Sequence, residues 1–244
     1  MANVHFFLQG KGGVGKSFCS NMCTQYLSSK NVVPICFDTD PVNATFASFK
    51  SIGAKWVDIR KTGGDIDPIK FDIIMERIAA LQDNEAIIVD NGASSFIPCA
   101  DYLISNAIPD MVQDMGHALF AHVIIIGGDG MMDTLNGFSA LAQQLPPAAK
   151  LIVWLNPHFG EIIGPDGKAF EEFKLYKNVE ERIHSLIKLP SLQRDTFGVN
   201  ITDMQKKRLT FDEAIARPDC GIMDKQRLTI ARKKIFEAIS LSEV

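Results

Sequence analysis

One stretch decides the fold of this chain: Gly10-Lys11-Gly12-Gly13-Val14-Gly15-Lys16-Ser17. It follows an apolar run at residues 4–8 and precedes a helix-compatible segment at residues 17–29. A strand, a glycine loop and a helix in this order form a phosphate cradle. The glycines let backbone N–H groups face phosphate oxygens, and the helix N-terminus adds its positive dipole end. The stretch therefore predicts a nucleotide site in an α/β protein, the alternative being a chance glycine-rich turn.

The side chains of this loop have distinct expected roles. Lys16 reaches the β- and γ-phosphates, and the Ser17 hydroxyl is a hard oxygen ligand for Mg²⁺. A cation at Lys11 can neutralise charge that develops on the γ-phosphate during transfer, although it can also be a solvated loop lysine. The predicted nucleotide-binding residues of the loop are Gly10, Lys11, Gly12, Gly13, Val14, Gly15, Lys16 and Ser17.

The composition limits the classes of protein that fit. With 244 residues and 46% hydrophobic content, we expect one domain, residues 1–244, with an ample core. The net charge of −4 argues against a surface tuned throughout for nucleic acid, so any such contact would be a local patch. The five cysteines are scattered and form no C-x-x-C, which indicates reduced thiols. No apolar run reaches the ~20 residues that a membrane span needs, and we expect a cytoplasmic protein.

Acidic residues follow two apolar strands. Residues 32–37 lead into Asp38-Thr39-Asp40, and residues 85–89 lead into Asp90. Ligands bind at the carboxyl edge of such parallel sheets, so we expect all three acids near the phosphate loop, with Asp90 serving Mg²⁺ through a water. The alternatives are that Asp40 caps a helix starting near Ala44 and that Asp90 is a plain strand-end residue.

The rest of the chain alternates strands and helices. Residues 118–127 and 150–155 are predicted core strands, residues 132–145 and 68–81 are predicted helices, and residues 54–59 form a short edge strand. The tail from Asn200 is helical, with a capping box at residues 210–213. A stripe at helical spacing, expected in the core, consists of Leu228, Ala231, Ile235 and Ile239. The expected fold is a three-layer P-loop NTPase type: a mainly parallel twisted sheet covered by helices on both faces.

A second lysine directly after the first glycine makes residues 11–17 resemble the deviant Walker A group, the ParA/MinD family. The resemblance implies that Lys11 acts across a dimer interface, that Asp38 lies near the Mg²⁺ water shell and that Asp40 orients the attacking water. It also implies that the amide of Asn156 reads the adenine edge, where a turn-forming Asn-Pro is an equal alternative. The segment around Pro190 resembles the one that closes over the adenine ring.

Several longer phrases resemble the TraL proteins of plasmid conjugal transfer regions, and the likeness covers nearly the whole chain. They are residues 8–17, 38–46, 90–96, 153–157 and 208–214. This resemblance implies an ATPase that uses ATP and Mg²⁺, forms an ATP-dependent homodimer and meets a conjugation or relaxosome protein. The chain departs from partition ATPases at Val42, where they carry glutamine, and it lacks the usual acid of the adenine-side segment.

Other classes stay open from the sequence. One is a nucleotide-switched binding protein in which hydrolysis is only a timer. Another is a partition or positioning ATPase that holds DNA nonspecifically through residues 206–208 and 232–234, although such charge runs are usually solvated faces. A third is a metabolic ligase or an electron-transfer protein, for which Cys99 follows the Asp90 loop. A membrane-binding tail is disfavoured because residues 241–244 end acidic and carry no bulky aromatics.

Overall fold

The structure, a computed structural model, describes residues 2–164 and 166–242. The strands within these residues are β1 (Asn3–Phe7), β2 (Val33–Asp38), β3 (Lys55–Trp56), β4 (Glu85–Asp90), β5 (Ala118–Ile126), β6 (Ala149–Asn156) and β7 (Ile183–Lys188). They form one sheet in the order β3-β2-β4-β1-β5-β6-β7. Every pairing between these strands is parallel. The expected mainly parallel α/β sheet is confirmed.

Helices connect and cover these strands. They are α1 (Lys16–Ser29), α2 (Asp72–Ala79), α3 (Phe96–Ser105), α4 (Ile108–Asp114), α5 (Met131–Gln144), α6 (Lys174–Val179), α7 (Val199–Lys206), α8 (Phe211–Ala216) and α9 (Ile222–Ser240). The apolar residues of every strand except the exposed β3 alternate between two buried clusters. One cluster includes residues of α2, α3, α4, α5 and α6, and the other includes residues of α1, α7, α8 and α9. Both faces are therefore covered, as a buried parallel sheet requires.

Most of the predicted elements are confirmed. The strands predicted to begin near residues 32, 85, 118 and 150 are present as β2, β4, β5 and β6. The predicted edge strand is shorter than expected and consists only of β3. The capping box of α8 is present, since Thr210 Oγ1 accepts from Glu213 N at 3.3 Å and Thr210 N donates to Glu213 Oε2 at 2.8 Å. The stripe on α9 lies in the core as predicted, and each of its four residues is at most 4% exposed. Helices α3 and α4 are additions that the sequence patterns did not reveal.

The helix considered near Ala44 does not form. Residues 41–54 form bends and turns, and carboxylates accept hydrogen bonds from three of their backbone N–H groups. Asp40 Oδ1 accepts from Val42 N and Asn43 N, and Asp38 Oδ2 accepts from Ala47 N. Such side-chain bonds compete with helix formation.

Strand β1 is the topological switch point of the sheet, because the strands that follow it in the chain lie first on one side of it and then on the other. Strand β4 lies on one side of β1 and β5 on the other. Crevices at the carboxyl ends of strands form at such switch points and bind ligands. Within the described residues, no helix is both long enough and apolar enough to cross a membrane. Glu243 and Val244, part of the tail considered for membrane binding, lie outside the described residues.

Candidate nucleotide-binding site

The phosphate loop joins β1 to α1 with its first residues exposed. Gly13 has φ +76° and Gly15 has φ +99°, left-handed conformations that favour glycine. Gly15 is the N-cap of α1, and it provides no side-chain cap. The first turn of α1 also carries no acidic residue. The free N–H groups and positive dipole end of α1 thus face the loop, which suits an anion.

Lys16 lies inside this loop and is only 8% exposed. Its Nζ donates to the backbone oxygen of Lys11 at 3.3 Å. Burial lowers the pKa of the Lys16 ammonium, and the nearby charges of Asp90 and Asp40 oppose this change. The structure therefore brings Lys16, Asp40 and Asp90 into electrostatic contact, as the sequence predicts.

Lys11 points away from its own loop toward α5. Its Nζ forms an ion pair with Asp133 Oδ2 at 2.8 Å, and both side chains are about half exposed. The hydrogen bond and charge of Asp133 raise the pKa of the Lys11 ammonium. No sequence pattern singled out Asp133. The lysine that defines the deviant loop is thus held by an acid of the same chain.

Asp38 and Asp40 lie at the end of β2, and their carboxylates mainly organise the backbone. Asp38 is fully buried, and its Oδ1 accepts from Asp40 N at 3.0 Å. Burial raises the pKa of Asp38, while backbone donors at Ala47 and Asp40 lower it. Asp40 is only partly buried and, besides its turn contacts, interacts with the charge on Lys16. Both acids lie near the loop, and both already have backbone partners.

Asp90 differs from these two acids because, within residues 2–164 and 166–242, one of its oxygens lacks a hydrogen-bond partner. It is 2% exposed, and among the described residues Oδ1 receives no hydrogen bond. Burial raises the pKa of Asp90 to about 7, and the charge of Asp38 adds to this rise. Ser17 and Lys16 oppose it. A buried carboxylate oxygen that receives no hydrogen bond is costly unless a positive partner compensates its charge.

The loop after Asp90 is anchored at both ends. Asn91 is 1% exposed, and its Oδ1 accepts from Thr39 Oγ1 at 2.9 Å and from Ser95 Oγ at 2.9 Å. At Gly92 an added Cβ would lie 2.9 Å from the Cα of Asp40, so only glycine fits there. Thr39, which lies between Asp38 and Asp40, thus holds both ends of this loop through Asn91 and Ser95.

A cavity of about 560 Å³ opens beside the phosphate loop. Asn156 and Pro190 both line it, together with Gly15 and Arg194. Further lining residues are Phe18, Leu189, Leu192, Ile201 and Ile235. Polar and charged side chains, among them His158, Glu161 and Arg194, share the lining with these apolar residues, and a cleft of this size is typical of small-molecule sites.

Asn156 has a double role in this wall. Its Nδ2 donates to Val14 O at 2.9 Å, and its Oδ1 accepts from His158 N at 3.1 Å. At Gly15 an added Cβ would approach Asn156 Nδ2 to 2.9 Å, so the loop and the amide are in close contact. Asn156 and Pro157 therefore form the turn that the sequence left as an alternative, and the Asn156 amide lines the cavity as well. Each amide atom retains capacity for one further hydrogen bond.

Two other groups of residues lie outside this arrangement. Cys99 is fully buried on α3, where burial raises the pKa of its thiol, so it offers no surface ligand for a cluster shared between two subunits. In the basic runs, Lys207 pairs with Asp203, Lys233 with Glu237, and Arg232 also has an acidic partner. Lys206 and Arg208 line the cavity. The six cations do not form one unpaired patch.

Comparison with known proteins gives a consistent picture. No protein-family model matches the chain. Two curated Escherichia coli proteins, each called Protein TraL, are 44% and 43% identical, and each alignment covers 100% of both chains. The MinC:MinD cell division protein complex of Aquifex aeolicus superposes with a TM-score of 0.56 at 15% identity, covering 99% of this chain and 96% of that chain. This chain therefore has the MinD-type fold.

Proposed function

This chain belongs to the TraL family, and from that premise we propose that it is a Mg²⁺-dependent ATPase of the ParA/MinD type that serves plasmid conjugal transfer. The observation that carries the proposal is Asp90 Oδ1, which receives no hydrogen bond from the described part of the chain although Asp90 is buried and interacts with Ser17 and Lys16 at a helix N-terminus. An oxygen in that position is costly to bury without a cation. The MinD-type fold supports nucleotide binding, and the whole-length likeness to TraL proteins supports the role in transfer.

The few oxygen ligands near the loop suit Mg²⁺ better than a metal that is held by protein side chains alone. The described residues contain no group of three or more His, Cys, Asp or Glu side chains placed to hold such a metal. Mg²⁺ commonly takes one or two protein oxygens and completes its shell with water and nucleotide phosphates. Ser17 and Asp90 would hold it here, with Asp38 at the edge of its water shell. When bound, Mg²⁺ supplies neutralisation of charge on the phosphate oxygens.

We assign the remaining roles to the chain's own groups. The N–H groups of the loop and the Lys16 ammonium bind the phosphates and orient them. Asp40 accepts a proton from, or orients, the attacking water, since its carboxylate lies near Lys16. Lys11 would leave Asp133 and stabilise the charge of the transition state in the nucleotide site of a second copy of the chain. Residues 1–244 would act as one ATPase domain.

The cavity beside the loop is the proposed base pocket. Asn156 would offer its amide to the base edge, and Pro190 would cover the ring. The turn at Asn156 and the close approach to Gly15 fix the direction of this amide relative to the phosphates. We therefore propose ATP as the nucleotide, bound with its phosphates at residues 10–17.

Calorimetric titration of Mg²⁺-ATP tests the site. Lys16→Ala removes the buried ammonium and should abolish measurable binding, since a point charge at the phosphates is lost. Lys30→Ala is the matched control, because it removes an exposed lysine at the other end of α1. Equal affinity of the two variants would exclude the loop as the nucleotide site.

A second experiment separates binding from turnover. Asp40→Asn keeps an oxygen that can accept from Val42 N and Asn43 N, whereas alanine would also remove that turn contact. The asparagine variant should bind Mg²⁺-ATP normally and lose most phosphate release, because an amide cannot accept the proton from water. Turnover at the wild-type rate would remove Asp40 from the mechanism.

A further inference from the structure

Gln9 is a fully buried polar residue directly before the phosphate loop. Its Nε2 donates to Ile124 O on β5 at 3.0 Å and to Thr134 O on α5 at 3.2 Å. Its Oε1 accepts from Lys11 N at 3.5 Å. One side chain thus connects the start of the loop with a neighbouring strand and with the first turns of α5.

Gly137 makes room for this amide. An added Cβ on Gly137 would lie 2.4 Å from Gln9 Oε1. Gly137 occupies the interior of α5, where glycine weakens a helix relative to alanine, and it is not among the glycines with positive φ. The backbone of α5 therefore does not require glycine here. The space for Gln9 does.

The amide reaches both lysines of the loop through the backbone of one residue, Lys11. The N–H of Lys11 donates to Gln9 Oε1, and the C=O of Lys11 accepts from Lys16 Nζ at 3.3 Å. The Lys11 ammonium pairs with Asp133, which precedes Thr134 in α5. The main chain and the side chain of Lys11 are thus tied to the same helical turn.

We propose that Gln9 is a positioning residue that sets the backbone of Lys11, and through it both lysines, for phosphoryl transfer. The proposal rests on the proposed ATPase function. Gln9 does not touch the phosphates, and a neutral amide exchanges no proton in the reaction. It acts by holding the loop against α5, so that a shift of α5 moves Lys11. Positioning errors of this kind lower the rate of a chemical step more than they lower ground-state binding.

Two methionine variants test this role. Gln9→Met keeps the volume and removes the amide, and Gln25→Met is its matched control. Gln25 is partly buried and also makes two side-chain hydrogen bonds, donating to Asn21 Oδ1 at 2.6 Å and accepting from Phe211 N at 2.9 Å, but both lie away from the loop. Turnover and the dissociation constant of Mg²⁺-ATP are measured for each variant, together with the thermal midpoint.

The Gln9 variant should lose about tenfold or more in kcat while its dissociation constant changes less than about threefold, because the loop N–H groups stay in place. The Gln25 variant should lower the midpoint similarly and keep the wild-type kcat. Equal kcat in the two variants overturns the role of Gln9 alone. Absence of Mg²⁺-ATP binding by the unmodified protein overturns the proposed function and this inference together.

A thermal unfolding cycle tests the contact without nucleotide. Gly137→Ala should lower the midpoint when Gln9 is present, because the new methyl group displaces the amide. In a Gln9→Ala background the same change should raise the midpoint, since alanine is the better helix former. The same sign in both backgrounds would overturn the contact on which the inference depends.

Discussion

Asp90→Asn should stabilise the nucleotide-free protein while weakening its response to Mg²⁺-ATP. The carboxylate is buried, and its Oδ1 has no partner among the described residues. Burial raises its pKa from 3.8 to about 7. A group whose pKa is raised by folding contributes its full stability at pH values below its pKa in the unfolded chain. That contribution is lost as the pH rises through its pKa in the folded protein. Asparagine removes this pH-dependent cost.

The size of the effect follows from the two pKa values. The difference between 3.8 and about 7 corresponds to about 4 kcal/mol of unfolding free energy at pH 8. At pH 5 the cost is only about 1.5 kcal/mol, because the folded protein keeps this carboxyl neutral by holding a proton that the unfolded chain has largely released. The stabilisation by Asp90→Asn should therefore grow by about 2.5 kcal/mol between pH 5 and pH 8.

Urea unfolding of the wild type and the variant at both pH values measures this change. Asp114→Asn, an exposed aspartate on α4, is the control and should show no such growth. Mg²⁺-ATP at 100 times its dissociation constant should stabilise the wild type by about 2.7 kcal/mol and the variant by clearly less. A pH-independent difference between the two proteins would refute the assignment of Asp90 as an uncompensated buried acid.

Three further predictions follow from named contacts. His5 and His122 are fully buried, and burial lowers the pKa values of both imidazoles, that of His5 to about 3. The free energy of unfolding that these neutral imidazoles support above pH 6.5 is therefore lost as the pH falls. Between pH 7 and pH 4, the unfolding free energy of His5→Phe in urea should fall by about 3 kcal/mol less than that of the wild type. Thr210→Ala removes the N-cap of α8 and should cost about 1 kcal/mol of unfolding free energy in urea. Asp133→Asn frees Lys11 and should raise basal phosphate release, while the thermal midpoint moves by less than about 1 °C because the pair is exposed.

The elements that repeat a local pattern were predictable. The glycine loop, the buried strands and the capping box of α8 each depend on residues within a few positions of one another. The approach of Asp38 and Asp90 was also predictable, since both end parallel strands, and the register places them side by side. The roles given to these residues stay predictions until nucleotide binding is measured.

Other features escaped the pattern analysis for a physical reason. Because aspartate is common at helix starts, the sequence left a helix near Ala44 as an alternative. In the structure the carboxylates of Asp38 and Asp40 accept hydrogen bonds from backbone N–H groups of this segment, which forms turns instead. Helix α3 was missed although Ser95 occupies its N-cap position and its buried residues lie on one face; Pro98 in its first turn weakens the helical pattern. Local preference is weak in such segments, and packing decides the outcome.

The sequence by itself determined that a phosphate loop opens an α/β sheet, because chain order and glycine conformations are local properties. Only the tertiary structure decided what surrounds that loop. Lys11 meets Asp133, Gln9 reaches α5 across 125 residues of chain, and Asn156 contacts Val14 across 142 residues. Such pairs form when the order of strands brings distant segments together. Their buried polar atoms then need partners, and the folded neighbours provide them.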